Sequence, residues 1–161
     1  MHSFRKSTEY ADDSFEQIAV LAVGELAVGI ARSALKRLVA MGSVVPCNCG
    51  PAWLVGMCEL EAEWCLVVGV ATMLGCEVRS DSHVIAVVEV TAGRKIGLQV
   101  DSVIGFRDIF SSEVTSCGRQ PMNTWLTGIT RDELLLLDLT RLFEDPALAP
   151  DAVCSYFFQD V

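Results

Sequence analysis

The sequence predicts a mainly β protein made of two similar small β-barrels packed together. Three observations carry this reading. Short apolar runs come in pairs around Gly-containing turns, with little helical periodicity between them. The plan is then repeated. Ile18-Ala-Val-Leu-Ala-Val with Val28-Gly29-Ile30 is echoed by Ile85-Ala-Val-Val-Glu-Val with Ile96-Gly97-Leu98, and Trp53-Leu54-Val55-Gly56 by Trp125-Leu126-Thr127-Gly128. A period of about 70 residues used twice is short of a solenoid, which needs three or more units. Finally, a chain of 161 residues buries roughly 70% of its unfolded surface, enough for a core, whereas each half alone would be marginal. A shared apolar interface between the halves resolves that deficit.

The elements follow in order. Met1 to Ser14 is polar and aperiodic and reads as a flexible tail. Gln17 to Val23 and Leu26 to Ile30 form a hairpin around Gly24-Glu25. Ala31 to Val39 is expected to be a short helix, because Ala34, Leu35 and Leu38 share a helical face. Pro46 and the Cys-Asn-Cys-Gly stretch up to Pro51 read as a loop. Strands over Leu54 to Leu60 and Glu63 to Val68 flank a turn at Glu61-Ala62, and Glu77 to Ser82 is a polar connector. A second hairpin runs Val84 to Val90, Ala92-Gly93, Lys95 to Val100, followed by a short element over Asp101 to Ile109. Ser111 to Asn123 reads as a polar loop with Gly118 and Pro121. A third hairpin spans Leu126 to Ile129 and Leu134 to Leu139, around Arg131-Asp132. Thr140 to Leu148 closes as a short helix ended by Pro150. One domain is expected over 15–161, with subdomains at roughly 15–82 and 83–145 and strands exchanged between them.

Composition narrows function. The apolar fraction is 52% and mean hydropathy is +0.42, which excludes disorder for most of the chain. Twelve Lys and Arg against 21 Asp and Glu give a net charge of −9. A chain this acidic, without a basic cluster, repels phosphate backbones and anionic lipid, so neither nucleic acid nor direct membrane insertion is expected. The apolar stretches Ile18–Ala31 and Ala52–Cys76 are interrupted by Glu25 and by Glu59, Glu61 and Glu63, unlike a spanning helix. Glu9, Asp12 and Asp13 stand where a signal peptide needs an apolar run, so the protein is expected in the cytoplasm.

Chemistry-bearing residues are few. The two histidines are His2, in the tail, and His83, at the start of a strand. No nucleophile elbow or phosphate loop is present, so no enzyme activity and no cofactor are expected. Cys47-x-Cys49 could open a zinc site with Cys58 or Cys117, but lacks the usual spacing and a second pair; the seven cysteines read as small buried hydrophobes. Glu59, Glu61 and Glu63 alternate through a hairpin tip, either as a solvated rim that blunts strand edges or as a negative rim for a basic partner. Trp53 and Trp125 hold equivalent positions and read as structural anchors. Trp64 has Leu136 as its counterpart and reads as core packing or as an interface anchor.

Several segments together resemble one family. They are Gly29-Ile30; Val44-Val45-Pro46 leading into Pro51-Ala52-Trp53-Leu54-Val55-Gly56-Met57; Gly93-Arg94-Lys95-Ile96-Gly97-Leu98-Gln99-Val100-Asp101-Ser102-Val103; Trp125-Leu126-Thr127-Gly128-Ile129; and Leu134 to Phe143. Over about Phe15 to Phe143 the chain resembles the CheW adaptors of bacterial chemotaxis arrays and their relatives in pilus-twitching systems. The Gly-Arg-x-x-Gly-x-x-Val-Asp-x-Val string is the most specific of these segments. The resemblance implies two intertwined five-stranded SH3-like barrels with short helices. It also implies a non-enzymatic scaffold that docks the regulatory domain of a CheA-type histidine kinase and the cytoplasmic tip of a methyl-accepting chemoreceptor. By position, Leu35 and Ile85 would line the receptor groove, and Val44, Val45, Leu54, Gly56 and Met57 the surface near the kinase contact. Where the family has Asn-Leu-Arg-Gly, this chain has Glu59-Leu60-Glu61-Ala62. That charge reversal makes Glu59 and Glu61 candidates for partner choice and implies weak binding of an ordinary receptor tip. Gly69-Val70-Ala71 likewise replaces the family's Asp-Leu-Arg, and the chain reads as a divergent member. The competing functional class is a stand-alone sensory or small-molecule-binding β-barrel module.

Overall fold

The computed structural model describes residues 14–47, 49–78, 84–116 and 125–158. Twelve strands are assigned within them: β1 Phe15–Val23, β2 Leu26–Ala31, β3 Leu35–Ala40, β4 Val44–Pro46, β5 Leu54–Leu60, β6 Glu63–Gly69, β7 Val84–Glu89, β8 Lys95–Val100, β9 Ser102–Phe110, β10 Val114–Ser116, β11 Leu126–Thr130 and β12 Leu135–Leu137. Helices are short: α1 Val70–Met73, α2 Leu139–Phe143 and α3 Pro150–Phe158, with 3₁₀ turns at Arg32–Ala34, Ser111–Glu113 and Pro146–Leu148.

The strands form two six-stranded sheets, ordered β10-β11-β12-β2-β1-β9 and β4-β5-β6-β8-β7-β3. The orders match strand for strand: β1 and β2 occupy in the first sheet the places of β7 and β8 in the second. The first hairpin therefore completes a sheet otherwise built from the second half of the chain, and the second hairpin completes one built from the first half. Both junctions are parallel, β12 with β2 and β6 with β8, inside otherwise antiparallel sheets. Each sheet also curves back on itself. Its two edge strands are joined by only three residues, 41–43 between β3 and β4 and 111–113 between β9 and β10. Three residues reach about 10 Å, whereas a flat six-stranded sheet is roughly 24 Å wide.

Burial follows from the exchange. The hairpin strands separate a sheet's interior from the core shared by both sheets, so they are buried on both faces and read as unbroken apolar runs. Ala19, Leu21 and Val23 face the shared core with Ala86, Val88, Leu98 and Leu54. Ile18 and Val20 face a smaller interior with Ile109 and Leu134, and Ile85 and Val87 face its counterpart with Cys58, Leu60, Cys65 and Val67. Strands with a solvent face alternate instead, as in the buried Leu54, Gly56, Cys58 and Leu60 of β5. The duplicated tryptophans meet in the middle: the Trp53 and Trp125 rings lie 5.3 Å apart, edge to face. Their carbonyls accept equivalent bonds from Gly69 N–H at 2.7 Å and Asp138 N–H at 2.6 Å.

The Gly-Arg string fastens these exchanged parts. Arg94 donates to the Phe143 carbonyl at 2.8 Å and the Leu148 carbonyl at 2.7 Å. The Asp101 carboxylate accepts from Gly24 N–H at 2.8 Å, holding the β1–β2 turn. Gly97 allows β8 to lie against Ile85, whose Cγ2 a Cβ would meet at 2.7 Å; Gly29 stands in the same relation to Ile18, also at 2.7 Å.

Several expectations are corrected. Ala31 to Val39 is a 3₁₀ turn followed by β3, because pairing with the buried β7 overrides local helical spacing. Pro46 ends β4, an edge strand where its missing N–H costs no ladder bond. The Ser111 to Asn123 loop holds a 3₁₀ turn and β10. Thr140 to Leu148 is not one helix. Asp138 caps α2 through Arg141 N–H, Asp145 caps the next turn through Ala147 N–H, and Pro150 opens α3 rather than ending a helix. Each sheet has six strands, not five. Ser14 is tied to the fold, its carbonyl accepting from Ser111 N–H at 2.8 Å. The rest of the expected tail, the 82/83 boundary, His2, His83, Cys117, Gly118 and Pro121 lie outside the described residues. No helix among the described residues is long and apolar enough to cross a membrane.

Filling the space under Ile85 with Gly97→Val crowds the β7–β8 hairpin from within and presses on Val67 of the parallel neighbour. The variant is expected to lose about 1–3 kcal/mol in urea unfolding, and Gly29→Val the same, because the two positions are equivalent in the exchange.

Candidate functional site

On β4, β5 and β6 the strand period sorts the sequence-selected residues into two sets. Directly opposed residues share a face, and the register pairs Val45 with Met57, Met57 with Leu66, and Glu59 with Trp64. Val45, Met57, Glu59, Trp64 and Leu66 therefore share the outer face, while Val44, Gly56 and Cys58 point inward; a bulge between Leu54 and Gly56 turns Val55 onto the same inner cluster and Leu54 onto the shared core. Val45 is 46% and Trp64 51% exposed, and Met57 and Leu66 are half-buried. The surface is an apolar patch with an aromatic anchor at one end and Glu59 at its rim, the composition of a protein-docking face.

Leu54 and Gly56 are buried and Val44 packs on the inner cluster. They support the patch without reaching its surface, and in that respect their expected placement is corrected. Gly56 has φ +147, and a Cβ there would collide with the Val45 carbonyl. Ile85 is also corrected: it is fully buried beneath Gly97, within the interior of its own sheet. Leu35 is half-buried against the shared core. A cleft of about 820 Å³ is lined by residues of both sheets, among them Phe15, Glu16, Lys36, Glu89 and Asp138. Neither Leu35 nor Ile85 lines it.

The acidic hairpin tip is internally compensated. Glu61 and Ala62 adopt positive φ, 49° and 71°, as a two-residue hairpin turn requires. Arg37 on β3 then reaches Glu61 at 3.0 Å and Glu63 at 3.1 Å, and Lys95 lies 3.9 Å from Glu63. The opposite half repeats the device: Arg107 on β9 pairs with Asp132 at 2.7 Å, in the β11–β12 turn. Each pair bridges an edge strand to a hairpin on the far side of its curled sheet. Exposed pairs of this kind contribute about 0–1 kcal/mol each, so they set orientation more than stability. Of the acidic trio only Glu59 faces the patch without an ion-pair partner among the described residues.

The expectation of buried cysteines holds for Cys58 and Cys65 and is corrected for Cys49 and Cys154, which are exposed; Cys47 and Cys76 are half-buried. Cys47 donates to the Leu54 carbonyl at 3.2 Å. Cys58 and Cys65 oppose each other across β5 and β6, both buried, and burial pushes the Cys65 thiol above its usual range. No grouping of three or more metal-ligating side chains occurs among the described residues.

The sequence offers Trp64 as an anchor but does not by itself join it to Met57 and Val45, and it does not single out Leu66. The strand alternation between Glu59 and Trp64 would have joined them.

Asp132 supplies a pH test of the seam. The Arg107 guanidinium, then the Thr130 hydroxyl at 2.6 Å, hold its carboxyl at about 2, below the usual 3.8. The charged form is favoured in the fold, so the contribution is present above the unfolded value and is lost as pH falls from about 3.8 through about 2. Carbon-detected NMR is expected to show Asp132 titrating near 2, and Arg107→Ala is expected to move it upward.

Comparison with known proteins fits this geometry. Among solved structures, the chain is similar to the scaffolding protein TtCheW from Thermoanaerobacter tengcongensis, with a TM-score of 0.69, 22% identity, and coverage of 83% of this chain and 95% of that one. No curated protein matches it. The CheW-like domain profile matches residues 17–147. With twelve strands in two hairpin-exchanging sheets and that match over most of its length, the chain belongs to the CheW-like domain family.

Proposed function

We propose that the protein is a non-enzymatic adaptor coupling chemoreceptors to a CheA-type histidine kinase in a bacterial chemotaxis-like array, flagellar or pilus. The observation that carries this reading is the family match over residues 17–147 together with an open apolar sheet face on β4 to β6. The kinase regulatory domain docks on Val45, Met57 and Trp64, with Glu59 at the rim selecting charge. Affinity arises from burying the aromatic anchor, and specificity from the charges around it. The adaptor works in the cytoplasm, beside receptor arrays at the inner membrane.

Receptor coupling differs from that of the family's arginine-bearing members. Glu61, held by Arg37, presents a carboxylate where they present a guanidinium, so the receptor it fits carries basic residues at the matching place.

Two measurements test the reading. In calorimetry against a soluble kinase regulatory domain, Met57→Asp and Trp64→Ala are each expected to weaken binding at least about 10-fold while leaving circular dichroism unchanged. Wild-type affinity in both would remove the assigned face. In pull-downs, Glu61→Arg is expected to raise capture of an arginine-selective receptor tip. Unchanged receptor and kinase capture would show that Glu61 does not set partner choice.

A further inference from the structure

The edge strand β9 carries a stripe of exposed apolar side chains. Ile104 is 63%, Phe106 51% and Phe110 41% exposed, and Phe15 stands beside Phe110 with ring centroids 5.6 Å apart. From Phe106 to Phe110 the alternate peptide groups point toward the open edge, and Ile104 is the extra residue of a β-bulge that follows Gly105 toward Val103. Ser111 N–H donates to the Ser14 carbonyl, and bonded and non-bonded positions alternate along an antiparallel pair. β1 therefore takes up the peptide groups of Ile109, Arg107 and Gly105, and those of Phe110, Asp108 and Phe106 face outward. Phe110 N–H accordingly donates to Glu113 Oε1 at 3.1 Å instead of to β1. A long edge with apolar side chains and outward peptide groups is a template for another strand. The equivalent edge β3 is six residues long and places the charged Lys36 and Arg37 on its length.

We propose that β9 is the pairing edge of a homodimer in which two copies align β9 antiparallel about a two-fold axis at Arg107. This register sets Phe106 opposite Asp108 of the second copy, with the bulged Ile104 just beyond the paired segment, beside its Phe110. Directly opposed side chains stand about 5 Å apart. The Arg32 guanidinium already lies over the Phe106 ring, 4.4 Å from its centroid, so the incoming Asp108 carboxylate arrives beside a cation. Among the described residues neither Arg32 nor Asp108 has an ion-pair partner within its own chain. The pairing supplies one to each, twice over by symmetry. Moving the axis to Asp108 would oppose two carboxylates, and moving it to Phe106 would carry Asp108 to the bulge of the other copy, away from Arg32. The Arg107 register sets each carboxylate beside a cation. On the opposite face the two Arg107 side chains meet already neutralised by their own Asp132 and Glu113.

Sedimentation equilibrium on the full chain, over about 1 to 300 µM, tests the pairing. A concentration-dependent dimer is expected. Phe106→Asp, Ile104→Lys, Asp108→Arg and Arg32→Asp should each weaken it at least about 10-fold. The double exchange Arg32→Asp with Asp108→Arg should restore it to within about 3-fold of wild type, since only the direction of the ion pair has changed. Val45→Asp, on the other sheet, should leave it unaltered. Ile104→Lys, at the most exposed position, guards against a folding defect in the others. A monomer at every concentration, a dimer indifferent to Phe106→Asp and Ile104→Lys, or single charge variants that the double exchange fails to rescue would each overturn the proposal.

Discussion

Over Ile18–Val23 of β1 and the middles of β2, β7 and β8 the strands have no solvent face, and the rest of the molecule depends on where they lie. Each hairpin is hydrogen-bonded into a sheet whose other four strands come from the opposite half of the sequence. One side of it packs on that sheet's interior and the other on the core common to both sheets. Detaching a hairpin would open two apolar clusters at once and strip the partner sheet of its centre. Fully burying a single Leu, Ile or Val contributes about 1.5–3 kcal/mol, and Leu21, Val28, Ile30, Ile85 and Leu98 all lie in this layer. Gly29 and Gly97 belong to the same constraint, because only a missing side chain lets strands come this close.

Such a core makes a stiff body, and stiffness suits an adaptor. A face on β4 to β6 and an edge on β9 lie on different sheets, and both sheets share one core. A load on one is carried to the other through packed side chains rather than through a hinge. The chain's excess of negative charge is managed locally. Arg37 and Arg107 each hold carboxylates at a hairpin tip, so the acidic residues there orient edge strands and leave Glu59 as the rim charge beside the apolar patch.

Much of this was legible in the sequence, for physical reasons. The hairpins announced themselves because a strand buried on both sides must be apolar throughout, as Ile18 to Val23 and Ile85 to Val88 are. The duplication was visible because the same packing problem, a glycine beneath an isoleucine and a tryptophan at the seam, is solved twice. Leu35 to Ala40 was misread because its apolar residues fit a helical face as well as a strand; β7, distant in sequence, decides between them. The site was legible in part. Val45 and Met57 lie on the outer face, but position alone does not place Ile85 and Leu54. The period of two buries Ile85 against Val67, and the bulge after Leu54 turns it onto the shared core, on the other side of the sheet from Cys58. Trp64 reaches the patch only through its cross-strand neighbour Glu59, a relation that one strand's sequence does not display.

The exchange of hairpins also bears on origin. A free-standing ancestor of one half would lack the two central strands of its own sheet while offering a pair to a neighbour. Two identical copies would have closed each other's sheets, with their tryptophans in contact on the symmetry axis. In the single chain the halves differ: Lys36 stands at the bulge of one edge where Ile104 stands at the bulge of the other. The molecule carries in one chain the architecture of a hairpin-exchanged dimer.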